Sequence, residues 1–169
     1  MRVEREKPEE YEKFSTRPVP IRPFDPDSKR AALAYGARLN ERLAPTGVAA
    51  ELHGSMVLEL AGKGEWEFAI YLSSDRWYPT LTLLVNHFPS VYLMSEELVT
   101  FNDAYEGHHV EVIAMRGNAA ECNQAIMRYW RDHPDARADY EAQKYRHCHS
   151  RRDYYRWKDN YIADILESL

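Results

Sequence analysis

From Asp27 or Ser28, a natural helix N-cap, the apolar residues Ala32, Tyr35, Leu39 and Leu43 recur at near-helical spacing until Pro45-Thr46-Gly47 breaks the pattern. That spacing predicts an amphipathic helix. The period then falls to two. VAAELH reads as a short strand ending at His53, and in EWEFAIYL the side chains of Trp66, Phe68, Ile70 and Leu72 alternate with those of Glu65, Glu67, Ala69 and Tyr71. Both glutamates therefore share one strand face. Between the two strands, Gly54-Ser55 opens a short apolar turn of helix and Gly62-Lys63-Gly64 marks a second turn. A helix is predicted over 74–87, with Pro79 tolerated in its first turn. VYLM (91–94), LVTFNDAY (98–105) and HVEVIAM (109–115) read as strands, the last carrying His109, Glu111 and Ile113 on one face. Three helical pieces follow, over about 118–132, 135–149 and 151–167, the first ended by His133-Pro134.

This order predicts an α+β fold: two helices, four or five strands and then a C-terminal helical segment. Five of the nine prolines precede residue 27, so residues 1–18 are expected to form an extended or disordered arm that packs only locally. The core is expected to run over 19–116 and the helical segment over 117–169. At 169 residues the chain can bury one substantial core without disulfide or metal staples.

Composition narrows the class. The chain is 44% hydrophobic and 29% charged, without an apolar run that spans a bilayer, and its charged start MRVEREKPEEYEK resembles no export signal. A cytoplasmic location is expected, with no membrane partner. Cys122 and Cys148 lack a C-x-x-C spacing and read as buried thiols. The net charge of −5 conceals an asymmetry: from Arg116 to Lys158 ten basic residues face six acidic ones, a surplus of four, which leaves −9 on the remainder. A basic helical part facing an acidic sheet suits a polyphosphate bridged by a cation.

The sheet supplies candidate chemistry. Acids at i and i+2 on a strand project in parallel, their α-carbons roughly 6–7 Å apart, and so placed can share one or two divalent cations. The Gly54-Ser55 turn is a candidate phosphate contact, because glycine lets the backbone approach and serine adds a donor. Lys63 adds positive charge. Glu111, on a neighbouring strand, is a candidate third metal ligand or base, and His109 beside it a candidate base or substrate contact. His147-Cys148-His149 cannot converge on one ion, since helical neighbours at i+1 and i+2 face apart. Tyr154, Tyr155, Trp157 and Tyr161 at helical spacing read as a packing face, and the net acidity argues against broad nucleic-acid binding.

The pattern of a Gly-Ser, nine residues and then acid-x-acid on a strand resembles the signature of the nucleotidyltransferase superfamily that includes DNA polymerase beta. More narrowly, the chain is similar to the GrpB-like family within it. The similarity rests on FDPD at 24–27, HGS at 53–55, GKGEWEF at 62–68, HVEV at 109–112, RYWRDHPDARADYEAQK at 128–144 and YYRWKDNYIADIL at 154–166. The resemblance implies a nucleotidyltransferase-like core, a mixed β-sheet with helices on one side and the C-terminal helical segment packed on it, and transfer of a nucleoside monophosphate from ATP or another nucleoside triphosphate to a small-molecule or protein acceptor, with release of pyrophosphate. It implies Mg2+ or Mn2+ held by Glu65, Glu67 and Glu111, the triphosphate held by Gly54 and Ser55, and phosphate contacts from Lys144, Lys158, Arg128 and Arg131. Two departures bear on activity. Both acids of the pair are glutamates where the superfamily's pattern begins with aspartate, and one more methylene moves a carboxylate by roughly an ångström, a misplacement that octahedral magnesium tolerates poorly. The turn also lacks the Ser-Thr-Val-Pro-Gly continuation common in the family. A weakly active or inactive module that binds nucleotide or a partner is the alternative, as is a ligase in which an adenylate only activates an acid for amide formation.

Overall fold

The computed structural model describes residues 1–169. Five strands form one sheet in the order β1-β2-β5-β4-β3, where β1 is Glu51–His53, β2 Trp66–Tyr71, β3 Ser90–Met94, β4 Leu98–Tyr105 and β5 His108–Met115. Only the β2–β5 pair is parallel; the other three pairs are antiparallel, so the sheet is mixed and the fold is α+β. Helices α1 (Pro26–Leu43), α2 (Gly54–Val57) and α3 (Ser74–His87) interleave with the strands, and α4 (Gly117–Asp132), α5 (Pro134–His147) and α6 (Arg151–Ser168) close the chain. No helix is long and apolar enough to cross a membrane.

The alternation of β2 explains the division of the molecule. Trp66, Phe68 and Ile70 are fully buried and meet Tyr35, Leu39 and Leu43 of α1, Trp77 and Leu84 of α3, and Val110, Val112 and Phe101 of the adjoining strands. Each such side chain contributes about 1.5–3 kcal/mol by leaving water, so this face organises the core. Asp25 caps α1 by accepting from the Asp27 N–H, and Pro26 sits where a missing donor costs nothing. A second cluster joins Leu58 and Leu60, after α2, to Ile126, Met127 and Trp130 of α4, Tyr140 of α5 and Leu166 of α6. The other face of β2 and β5 looks toward this cluster, and the gap between them is the main cleft.

The first 25 residues are ordered along the C-terminal helices, contrary to an arm that packs only locally. Pro8–Lys13 forms a 3-10 turn with Tyr11 buried. The Val19 N–H donates to Cys148 C=O and the Arg151 N–H to Arg17 C=O, which fastens the arm to the α5–α6 turn. Arg22 then makes an antiparallel bridge with Gly62, so the arm ends at the cleft's rim. Its polar composition is satisfied by distant partners: Arg5 pairs with Asp164 and Glu167, and Arg152 with Glu12.

Candidate active site

Register brings the acidic residues together. In the β2–β5 pair Trp66 lies beside Val110 and Glu67 beside Glu111, so Glu65, one residue before β2, comes level with His109. Glu65, Glu67, His109 and Glu111 thus occupy four corners of one sheet face. Three of them converge: the ligand atoms of Glu65, His109 and Glu111 lie within 4.8 Å of one another, and His109 Nδ1 is 3.6 Å from Glu65 Oε1. The fourth, Glu67, is not one of the converging three. On its other side Glu67 pairs with His53 of β1, and its carboxylate lies beneath the turn that follows, so close that a Cβ on Gly54 would sit 1.7 Å from Oε2. Gly54 has a φ of +65°, a left-handed conformation that side chains resist, so both backbone and space require glycine there. Glu67, expected to share a metal with Glu65 and Glu111, lies on their face of the sheet with its carboxylate against this turn.

What surrounds Glu67 is positive. Burial alone would raise its pKa, yet Lys158, Lys63, His53 and Lys144 outweigh burial and hold the carboxyl below its ordinary value. Burial and repulsion from Lys158 oppose the charge on Lys63, but the carboxylates of Glu65 and Glu67 prevail and raise its pKa. Lys63 Nζ lies 2.5 Å from Glu65 Oε2. The two form a close, largely buried ion pair. The Lys158 ammonium is strengthened mainly by the Tyr140 hydroxyl, with Glu67 adding to it against burial.

Lys144 is the most deeply placed of the cations, 1% exposed, and donates to Ser55 Oγ at 2.6 Å and to Ala61 C=O at 2.7 Å. Burial and the neighbouring Lys158 push its pKa down to about 7, against the pull of Glu67 and Glu141. The bond fixes the Gly54-Ser55 turn from below, and Gly62 allows it: a Cβ there would stand 2.9 Å from that of Ser55. Burial lowers the pKa of His53, against the pull of Glu67, and its Nε2 lies 3.2 Å from Asn123 Nδ2. Glu111 is displaced upward by burial, with Glu67 and Glu65 adding to the effect.

The cleft over these groups has a volume of about 550 Å³. Its polar wall carries Gly54, Ser55, Lys63, Glu65, Glu67 and Lys158; its apolar wall carries Phe24, Met56, Met127, Trp130, Tyr140 and Tyr154. No family model matches the sequence, and no curated protein matches it. Among solved structures it is similar to that of a cytoplasmic RNA terminal U-transferase, with 11% identity, 66% of this chain and 34% of that chain covered, and a TM-score of 0.44. The chain spans about a third of that protein's length.

The expected phosphate contacts divide. Lys63 and Lys158 line the cleft, and Lys144 lies beneath its turn. Arg128 and Arg131 do not line it: both are solvent-exposed on α4, whose inward positions are taken by Ile126, Met127 and Trp130. His53, Arg22 and Asn123 belong to the cleft although no spacing in the sequence singled them out. For His53 a signal existed, since it immediately precedes the Gly-Ser turn. Asn123 has none, being one polar residue on a helix, although it accepts from Tyr71 OH as well as facing His53. The discounted aromatic tail does serve as a packing face, with Trp157 stacked on His147 and Tyr140, while Tyr154 also reaches the cleft.

The donor set suits a divalent cation: two carboxylates and an imidazole at converging positions. Glu65, His109 and Glu111 are therefore the residues that would hold one.

Proposed function

We propose that this protein is a metal-dependent nucleotidyltransferase of the GrpB-like kind, which binds a nucleoside triphosphate such as ATP in the cleft and transfers its nucleoside monophosphate to a small-molecule or protein acceptor. The observation that carries the reading is the gathering of Lys63, Lys144 and Lys158 around the Gly54-Ser55 turn in a cleft with an aromatic far wall. Such a cleft complements a ligand that is polyanionic at one end and flat and apolar at the other. The sequence resemblance supports the same assignment. The absence of a membrane-crossing helix is compatible with action in the cytoplasm.

In this reading Ser55 and Lys144 form a preorganised unit that meets the phosphate chain, and Lys63 and Lys158 compensate its charge. A bound divalent cation would supply charge neutralisation between the acids and the phosphates. Glu111, where a cation leaves it unligated, is the candidate base for the acceptor hydroxyl or amine. The apolar wall, with Phe24, Met56 and Met127 among its residues, meets the base.

The test is pyrophosphate release from each of the four common nucleoside triphosphates with Mg2+, Mn2+, Co2+ or Zn2+, over a panel of acceptors. Release that disappears in Glu65→Gln and in Glu111→Gln, with binding retained, supports transfer. One observation favours a second reading, a module that binds nucleotide or a partner without turnover: Glu67, at the second acidic position of the motif, is already neutralised by lysines. Nucleotide binding without release would support that module, and a cleft that binds no nucleotide defeats the transferase.

A further inference from the structure

We infer that Glu65, His109 and Glu111 form a site for one borderline first-row transition cation of the Zn2+ and Co2+ class, selected over Mg2+, with Glu67 outside the coordination sphere. The inference rests on the nucleotide-cleft reading only in that the two sites adjoin.

The geometry is set by the backbone. His109 and Glu111 alternate on β5 and so share a face, and the parallel register with β2 places Glu65 level with His109. Two neighbouring strands thereby deliver three donors whose ligand atoms lie within 4.8 Å, a spread that a central ion bonded at about 2.0–2.2 Å draws in by small side-chain rotations. His109 is 42% exposed at its side chain, so it is free to turn.

Chemistry then decides which ion. Magnesium takes oxygen ligands in strict octahedral geometry, whereas imidazole nitrogen suits zinc, iron, nickel and copper, and affinity for a mixed nitrogen and oxygen site rises along the first row. One imidazole with two carboxylates favours the borderline metals. Glu67 stands apart from this set: its carboxylate lies against Gly54, where a Cβ would sit 1.7 Å from Oε2. Lys63 is the group an ion would displace, because its ammonium is now the counter-charge of Glu65. Once released, that ammonium is available to an anion in the cleft. The metal site and the cleft are linked through one lysine.

The experiment is a titration of the metal-free chain with Co2+ without nucleotide, read by visible absorption, with Zn2+ and Mg2+ as competitors and circular dichroism verifying the fold of each variant. One equivalent should bind and develop a ligand-field band. Zn2+ should displace it, and a hundredfold excess of Mg2+ should not. His109→Ala and Glu111→Gln should each weaken binding at least tenfold, Glu67→Gln should leave it within about twofold, and Lys63→Met should strengthen it. No saturable binding overturns the inference, as does ready displacement by Mg2+ or a loss in Glu67→Gln equal to that in Glu111→Gln. Binding of ATP in the presence of a chelator separates this from the cleft reading: His109→Ala leaves it unchanged, so the metal site can fail while the nucleotide cleft stands, and the reverse.

Discussion

Lys144 Nζ lies 2.6 Å from Ser55 Oγ, so a buried amine on α5 is joined to the turn after β1 across 89 residues of chain. The pKa of about 7 makes this pair sensitive to neutral pH. An anion prefers the charged amine and raises its pKa on binding. Below about 7 Lys144 is already charged and affinity for ATP should be flat with respect to this group. Above it, binding must take up a proton, and affinity should fall up to about tenfold per pH unit until the pKa of the bound state is reached. Titration calorimetry of metal-free ATP in buffers of different ionisation enthalpy should detect that proton near pH 8. In Lys144→Met the uptake should vanish and affinity should be weak across the range. An unchanged proton uptake in the variant would place the titrating group elsewhere.

Gly54→Ala should damage both fold and site. Its φ of +65° costs an alanine about 1–2 kcal/mol, and the new Cβ collides with the Glu67 carboxylate at 1.7 Å. Because the carboxylate can swing aside, the total should be near 2–3 kcal/mol, readable as a shifted denaturant midpoint with an unchanged slope. The displaced Glu67 would enter the cleft and weaken ATP binding as well. A variant of wild-type stability and affinity would show that the turn is less tightly seated than described.

Much of this was legible in the sequence, and the reason differs by element. Period-two alternation placed Glu65 and Glu67 on one face and His109 with Glu111 on another strand, and caps and prolines located α1 and α3. Periodicity, however, is silent about strand order. Only the parallel pairing of β2 with β5 sets Glu65 beside His109, and only the antiparallel β1 pulls Glu67 toward His53. The same limit explains Arg128 and Arg131, whose basic character suited phosphate but whose position on α4 faces solvent. Tertiary placement of the helix, not its composition, decides which cations count.

Glu67→Gln separates two roles for one residue. If the carboxylate serves as counter-charge to the lysines, its removal leaves Lys158 without a carboxylate partner, while Lys63 keeps Glu65, and costs roughly 3–5 kcal/mol. The freed positive charge should then bind metal-free ATP more tightly, by about tenfold at low salt and less at high salt. A metal ligand would behave otherwise: metal-dependent affinity would drop and metal-free affinity would hardly move. Isothermal titration with and without a chelator distinguishes the two.

The arm acts on the cleft through α6. Tyr11 is 3% exposed against that helix, and the ion pairs of Glu12 with Arg152 and Arg156 hold the same helix within two turns of Lys158. Tyr11→Ala should therefore cost about 3 kcal/mol by cavity formation, lowering the melting temperature by about 6–12 °C for a chain of this size. Tyr11→Phe, which keeps the ring, should lose much less. If the arm positions Lys158, affinity for ATP should fall in Tyr11→Ala at temperatures where the protein is still folded, because helix α6 is then less firmly held. Hydrogen exchange should show the same order, with faster exchange at the amides of α6 in Tyr11→Ala and no change in those of β4 and β5. Accelerated exchange throughout the sheet would mean instead that the arm stabilises the whole domain and has no particular connection to the cleft.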